Sequence, residues 1–212
     1  MTPKQEYYKV AAETILKNIE QRGYEGCYCE TSEKAVKKAL SYVTPGSSVS
    51  FGGSMTMNKC GLMDALQKRT DITLLDRSKA GSPEEVKEIY HKALSCDYYF
   101  MSTNAITLDG QLVNTDGTGN RVAALIYGPE NVIIIAGMNK VAATLEEAES
   151  RVKNIASPPN AIRLDRKTPC ALTGSCHDCF AEGCICSHTV ITRRSAIKGR
   201  IKLILVGEEL GY

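Results

Sequence analysis

Hydrophobic positions along the chain follow a helical period in some segments and form short apolar runs in others. An N-terminal helix is predicted, because apolar residues recur at helical spacing from Tyr8 to Ile19, after a Thr-Pro-Lys-Gln start and before Gly23. Strands are then predicted at residues 24–30, 48–51, 72–75 and 98–101. Helical patterns separate these strands and begin at Thr31 or Ser32, after residue 56 and at Ser82. Such alternation predicts an α/β fold, with a parallel or mixed sheet and helices on both sides.

Residues 104–140 form the most organised stretch, NAITLDGQLVNTDGTGNRVAALIYGPENVIIIAGMNK. Asp109-Gly110 lies between two apolar runs and predicts a hairpin, since both residues tolerate a positive φ. Residues 132–135 have no polar interruption, which is typical of a strand buried on both faces. Polar residues follow this strand at once, in the place where open α/β sheets bind ligands.

The same reading predicts three further elements. One helix follows residue 56, with its apolar residues on one side at Met57, Cys60, Met63 and Leu66. Another begins at Thr144 and ends before Pro158-Pro159, because proline breaks a helix interior. Two strands are expected near the C-terminus, at residues 189–191 and 201–207.

A glycine-rich loop follows the predicted strand at residues 48–51. Gly52-Gly53-Ser54-Met55-Thr56 leads from this strand into a helix, so free amides and the helix dipole point at the loop. Such a loop can hold a phosphate or a carboxylate. A tight structural turn explains the same residues equally well.

Three polar loops are expected to meet in one pocket. The loops at residues 52–56 and 137–140 leave the sheet at the same edge if it is parallel, and the loop at 116–121 can fold over them. The charges of Arg121 and Lys140 would then face an acidic ligand. Asp116 and Lys140 are the candidates for proton transfer.

Composition limits the class of protein and its cellular compartment. The chain has 212 residues, of which 43% are hydrophobic and 24% charged, and its net charge of +2 gives no case for nucleic acid. No apolar run is long enough to span a bilayer, and the N-terminus lacks the apolar core of a signal peptide. We therefore expect a cytoplasmic protein whose nine cysteines are free, metal-bound or redox-active rather than paired in disulfides.

Five cysteines cluster in residues 169–187, at Cys170, Cys176, Cys179, Cys184 and Cys186. Cys176 and Cys179 form a Cys-x-x-Cys pair, which can wrap one metal ion or one cluster iron. Four thiolates suit zinc or an iron–sulfur cluster, and the spacing does not separate the two. Redox-active thiols are the competing interpretation.

Several of these segments together resemble the lactate-utilisation (LUD) domain family. The resemblance is carried by SFGGSMT, by residues 104–140, by PC-x₅-C-x-DC with a later cysteine, and by ILVGEELGY. It covers nearly the whole chain, which implies one LUD-like domain over residues 1–212 with the cysteine-rich segment 169–187 inside it. It also implies a three-layer α/β/α fold like that of ribose-phosphate isomerases and CoA transferases, with the cysteine-rich segment near the C-terminus.

The resemblance also implies a set of site residues. The expected pocket residues are Gly52, Gly53, Ser54, Thr56, Asn104, Asp116, Asn120, Arg121, Gly137, Asn139 and Lys140. The cysteines that match the family pattern are Cys170, Cys176, Cys179 and Cys186, whereas Cys184 is an extra one. Lys59 departs from the family pattern, where an acid is expected.

Two functions follow from the resemblance. The first is an accessory protein or subunit in the oxidation of lactate to pyruvate, acting with iron–sulfur partner proteins. The alternative is an isomerase- or transferase-like enzyme, or a binder, for a small anionic metabolite such as a sugar phosphate, a carboxylate or a CoA ester, with the cysteines holding structural zinc. Nucleotide hydrolysis and dinucleotide binding are disfavoured, because the chain has no Walker loop and no full Rossmann fingerprint. Catalysis by the chain alone and a homo-oligomeric state are left open.

Overall fold

The computed structural model describes residues 2–212, and a six-stranded sheet runs through its centre. In spatial order the strands are β1 (Glu25–Cys29), β10 (Ile201–Val206), β7 (Asn131–Gly137), β4 (Tyr98–Met101), β2 (Ser48–Phe51) and β3 (Thr73–Leu75). Every neighbouring pair is parallel. The predicted parallel sheet is therefore confirmed, and the carboxyl ends of its strands meet at one edge.

Helices cover the sheet, and the four that were predicted to begin near residues 2, 32, 82 and 144 do begin there. The helices are α1 (Pro3–Gln21), α2 (Ser32–Leu40), α3 (Met55–Lys59), α4 (Leu62–Gln67), α5 (Pro83–Ala93), α6 (Asn120–Ile126), α7 (Leu145–Arg151), α8 (Ser157–Arg163) and α9 (Pro169–Thr173). Thr2 caps α1 in a capping box with Gln5, and the Ser82 hydroxyl accepts the Glu85 N–H at 3.2 Å to start α5. Within residues 2–212, no helix has both the length and the apolar character needed to cross a membrane.

The central strand β7 shows why the fold has three layers. Val132, Ile134 and Ala136 pack into a core with α1, whereas Ile133 and Ile135 point to the opposite face. That second core contains buried residues of α2, α3 and α4. All five of these β7 side chains are fully buried, so an unbroken apolar run is what this position requires. The expected α/β/α arrangement is confirmed.

A smaller second sheet stands beside the carboxyl edge of the first. It has the order β8 (Val141–Ala142), β5 (Ala105–Thr107), β6 (Leu112–Asp116) and β9 (His188–Thr192). β5 and β6 form the predicted hairpin, and Gly110 in its turn has a φ of 89°. β9 pairs antiparallel with β6, so that Asp116 lies opposite His188. This sheet carries the 116–121 loop to the edge of the main sheet.

Two predictions of helix boundaries are wrong. The helix expected after residue 56 is broken into α3 and α4, because Gly61 adopts a left-handed φ of 83°. The helix that begins at Thr144 does not end before Pro158-Pro159. It continues through a π-helical turn at Val152–Ala156 into α8, whose first turn contains both prolines. Proline is compatible with a first turn, where its missing N–H would have no helical partner.

Candidate functional site

A cavity of about 450 Å³ lies beyond the carboxyl ends of the central strands. Eight of the residues predicted for the pocket line it, namely Gly53, Ser54, Thr56, Asn104, Asp116, Asn120, Arg121 and Lys140. The three predicted loops thus meet in one place, and the volume is in the range of small-molecule sites.

Gly52, Gly137 and Asn139 do not line this cavity, and the structure shows a packing role for each. A Cβ at Gly52 would lie 2.9 Å from Arg121 Cδ, so only glycine leaves room for that side chain. A Cβ at Gly137 would lie 2.5 Å from Asn139 Oδ1. Asn139 Oδ1 in turn accepts the Leu210 N–H at 3.0 Å. These three residues pack against residues next to the cavity and do not face it.

The C-terminal segment is held against α3. Thr56, although at the cavity, donates its hydroxyl hydrogen to the Leu210 carbonyl at 3.0 Å. Lys59 donates to the Glu209 carbonyl at 2.9 Å. The segment then brings Tyr212 to the cavity wall. Lys59 therefore holds the C-terminal segment in place, and the hydrogen of the Thr56 hydroxyl is donated to the protein rather than to the cavity.

Arg121 is buried at the base of the cavity, with 8% of its surface exposed. A guanidinium group has five N–H donors. Here the donors are taken up by protein oxygens at 2.5–3.3 Å, from Ser102, Asn104, Asn114, Thr115 and Asp116. No donor is left over for an anion. Arg121 is a positioning residue that holds the two sheets together below the cavity.

The carboxylate of Asp116 is similarly occupied. Its Oδ1 accepts from Arg121 Nε at 3.3 Å, and its Oδ2 accepts the backbone N–H groups of Arg121 and Val122, each at 3.1 Å. These contacts begin α6 and fix the loop. Because both of its oxygens already accept hydrogen bonds from the protein, Asp116 is the weaker of the two candidates for proton transfer.

Lys140 is the second buried cation, and it has different surroundings. Its Nζ donates to the Ser102 hydroxyl and to the Thr103 carbonyl, both at 3.1 Å, and only 4% of the residue is exposed. Among residues 2–212, no carboxylate forms an ion pair with it. Burial, followed by the positive charges of Arg151 and Arg121, lowers the pKa of Lys140 to about 7. Its amine is therefore partly neutral near physiological pH.

The cavity also contains cations that the sequence reasoning did not select. Arg77, Arg163 and Arg166 line it, together with one acidic residue in the cysteine-rich segment, Glu182. Arg77 stacks over the Tyr90 ring, with 5.5 Å between its Cζ and the ring centroid. Arg77 comes just after β3, so the rule that ligands bind beyond strand ends could have identified it. Arg163 and Arg166 do not follow a strand, so this rule could not have identified them.

The cysteine-rich segment forms a second cavity, of about 270 Å³. All five of its cysteines line that cavity, namely Cys170, Cys176, Cys179, Cys184 and Cys186. The two cavities share Thr115, Cys184 and Ile185 as a common wall. Cys184, which is extra to the family pattern, thus borders both cavities.

The thiols are neighbours without forming a ligand cage. Cys186 Sγ donates to the Ser157 hydroxyl at 3.4 Å, and Cys170 Sγ lies 3.2 Å from Thr168 Oγ1. Burial raises the pKa of Cys186, and nearby Cys184, Cys170 and Cys176 raise it further. In the described part of the chain, no three Cys, His, Asp or Glu side chains are arranged to hold a metal ion. The cysteines share a cavity as expected, and the metal remains a prediction.

Comparison with known proteins supports this fold. A DUF162 family protein from Deinococcus radiodurans has a similar solved structure, with a TM-score of 0.52 and 10% identity over 94% of this chain and 97% of that one. Ribose 5-phosphate isomerase from Plasmodium falciparum gives a partial likeness, with a TM-score of 0.35 and 18% identity over 53% of this chain and 52% of that one. No curated protein matches the chain.

The family assignment rests on the sequence match. The LUD domain model matches residues 12–206, which include the main sheet, the second sheet and the cysteine-rich segment. The chain therefore belongs to the LUD domain family.

Proposed function

We propose that the protein takes part in lactate utilisation and binds L-lactate or pyruvate in the 450 Å³ cavity. Membership of the LUD family suggests a role related to lactate utilisation. The observation that carries the proposal is the charge of the lining, in which Arg77, Arg163 and Arg166 outnumber Glu182, the acidic lining residue outside the Arg121–Asp116 pair. Such a lining favours a small anion.

The carboxylate of the ligand has suitable partners at the cavity wall. Guanidinium groups bind carboxylates through two parallel hydrogen bonds, and Arg77 is held in place by the Tyr90 ring rather than by an acid. The Ser54 hydroxyl caps α3 by accepting the Met57 N–H at 3.4 Å. Its own hydrogen remains for a ligand oxygen.

Lys140 is the residue that we assign to proton transfer. Oxidation of lactate to pyruvate removes two protons and two electrons from the substrate. The neutral amine of Lys140 would accept the proton of the lactate hydroxyl, because its pKa is about 7 and no carboxylate holds it as an ammonium. The two electrons would leave one at a time to a redox partner of the iron–sulfur class, and the second proton would pass to solvent.

The cysteine-rich segment supplies the donor chemistry for a metal centre. Cys170, Cys176, Cys179 and Cys186 border one cavity, and thiolates are the ligands that zinc and iron–sulfur clusters prefer. These four would hold the centre, after a small rearrangement of their loops. An iron–sulfur cluster bound there would supply one-electron transfer next to the anion cavity, whereas zinc would be structural.

A sugar phosphate is the second candidate ligand. Three arginines at one cavity suit the greater charge of a phosphate, and a neutral lysine can move a proton in an isomerisation. In this case the cysteines would hold structural zinc. The two candidates differ in which anion binds and in whether the reaction needs a redox partner.

Calorimetric titration of L-lactate, pyruvate and ribose 5-phosphate tests the proposal. We expect the two monocarboxylates to bind, and Arg77→Gln to weaken them roughly tenfold or more, because a charge-assisted hydrogen bond is worth about 1.5–3 kcal/mol. Arg194→Gln is the matched control, since Arg194 is exposed and lines neither cavity.

The outcome separates the alternatives. Tighter binding of ribose 5-phosphate than of either monocarboxylate would favour the isomerase-like function. Absence of binding by all three anions would contradict an anion site in this cavity.

A further inference from the structure

Lys140 and Lys202 are both at least partly buried, and their partners differ. Lys202 donates to Asn131 Oδ1 at 2.9 Å and to the Gly199 carbonyl at 2.6 Å. Burial lowers the pKa of Lys202, and the charge of Glu25 acts in the opposite direction. Lys140 has no acidic neighbour and faces the positive charges of Arg121 and Arg151. Lys202 lines none of the cavities, whereas Lys140 lines the anion cavity. The surroundings of Lys140 thus disfavour a permanent ammonium ion.

The hydrogen bonds of Lys140 suit a neutral amine. A neutral primary amine has two N–H groups and one lone pair, in a tetrahedral arrangement. The Ser102 hydroxyl and the Thr103 carbonyl are the two acceptors, each at 3.1 Å from Nζ. The third position of the nitrogen has no partner in residues 2–212, and the side chain borders the cavity. The lone pair of the neutral form is therefore available to a bound molecule.

We propose that Lys140 forms a Schiff base with the carbonyl carbon of a 2-oxo carboxylate bound in this cavity. The proposal rests on the proposed anion-binding function and adds a covalent step to it. An uncharged lysine amine with no acidic partner is the nucleophile that such a step requires. The carboxylate would contact the arginines at the cavity wall, of which Arg77 stacks on the Tyr90 ring.

The reaction is balanced without an oxidant or a reductant. The lone pair of Nζ attacks the carbonyl carbon, and the carbonyl π electrons move to oxygen. Both hydrogens of the amine end in the departing water molecule, and a C=N bond replaces the C=O bond. The Ser102 hydroxyl, which accepts from Nζ at 3.1 Å, is placed to pass a proton towards the leaving oxygen.

The charged groups around Lys140 give the step a defined pH dependence. Arg121 is neutralised in part by Asp116, with 3.3 Å between Nε and Oδ1. Arg151 donates to the Asn104 carbonyl at 2.6 Å and has no carboxylate partner among the described ion pairs. With the pKa of Lys140 lowered to about 7, the reactive amine increases through neutral pH. At pH 7 its neutral fraction exceeds that of an ordinary lysine by roughly a thousandfold.

Reductive trapping tests the proposal. The purified protein is incubated with pyruvate and cyanoborohydride at pH 6 to 9, and the modified lysine is located by peptide mass spectrometry. We expect label on Lys140 well before any other lysine, with a rate that rises most steeply around pH 7. Lys202 serves as the internal control for a partly buried lysine, so the assignment needs no variant. L-Lactate has no carbonyl group, so it should protect Lys140 without becoming attached.

Calorimetry without reductant separates the two proposals. Binding of pyruvate with no label on Lys140 would overturn the Schiff base and leave the anion site intact. Absence of binding by both pyruvate and L-lactate would overturn both proposals, whereas binding of L-lactate without pyruvate would overturn the Schiff base alone. Label spread over surface lysines, with a rate that rises only towards pH 10, would also contradict a reactive Lys140.

Discussion

Arg121 and Lys140 show what residue type alone can and cannot establish. Both were predicted at the pocket, and both line it. The donors of Arg121 are nevertheless bound to protein oxygens, whereas Lys140 has no acidic partner. These roles depend on neighbours from distant segments, such as Ser102 and Asn114, which no local pattern reveals. The sequence could therefore place the two cations and could not assign their roles.

The buried network predicts a large loss of stability for Arg121→Met. The substitution removes five hydrogen bonds from a buried side chain and leaves the partly buried Asp116 carboxylate without its ion pair. Loss of one partner from a buried pair costs about 3–5 kcal/mol, so we expect a decrease of that size in the free energy of unfolding. Urea denaturation followed by circular dichroism gives the value.

Arg163→Met is the matched control for this substitution. Arg163 lines the same cavity, is exposed, and donates to Asn160 Oδ1 at 2.8 Å. Its replacement should change the free energy of unfolding by no more than about 0.5 kcal/mol. Equal effects of the two substitutions would show that Arg121 does not support the fold in this way.

At the scale of elements, the helical segment from α7 to α8 differs most from expectation. A Pro-Pro pair in a helical pattern usually marks its end. Here the π-helical turn at Val152–Ala156 precedes the prolines, and π-helical turns are frequent at functional sites. The sequence has no recognised signal for such a turn, because it depends on packing against β6 and on the cysteine-rich segment.

This helical segment connects the two cavities. In its π-helical turn, Asn154 Oδ1 accepts the Cys176 N–H at 3.2 Å. One turn later Ser157 contacts Cys186, and further along Asn160 and Arg163 line the anion cavity. Residues of one continuous helical segment therefore line both cavities.

Asn154→Ala tests this contact with the cysteine-rich segment. Removal of one hydrogen bond, worth about 1 kcal/mol, should loosen the loop and speed alkylation of Cys176 by roughly threefold to tenfold. Mass-resolved labelling with iodoacetamide measures each thiol separately. Asn160→Ala is the control on the same segment, since its side chain contacts Arg163 and no cysteine. An unchanged rate at Cys176 would contradict the role of Asn154.

At the scale of the whole molecule, the sequence predicted the main sheet well and the second sheet only in part. Apolar runs and helical periods are local signals, and they identified β7 and the edge of the sheet at which the 450 Å³ cavity lies. The hairpin of β5 and β6 was also predicted from a local signal, the Asp109-Gly110 turn. The pairing of β6 with β9 joins residues 112–116 to residues 188–192, and no pattern within either segment specifies that contact.

The residues that line the cavity also come from segments that are distant along the chain. Residues 52–56, 102–104, 116–121 and 140 come from loops that the strand order brings to one edge. Residues 163–166 and 182–185 close the cavity from the other side, and their approach depends on how α8 and the cysteine-rich segment fold back. The cavity is thus a property of the assembled fold, in which Lys140 lies between β7 of the main sheet and β8 of the second sheet.

The central claim is that Lys140 is a neutral amine in a cavity that binds small carboxylates. The most direct test is an NMR pH titration of the protein with ¹³C-labelled lysine, with and without saturating L-lactate. The Lys140 resonance, assigned by its absence in Lys140→Gln, should titrate near pH 7 in the free protein. Lactate should raise this pKa by about one unit or more, because a nearby negative charge stabilises the ammonium form. A midpoint near the ordinary value of 10.5, unmoved by lactate, would contradict the account.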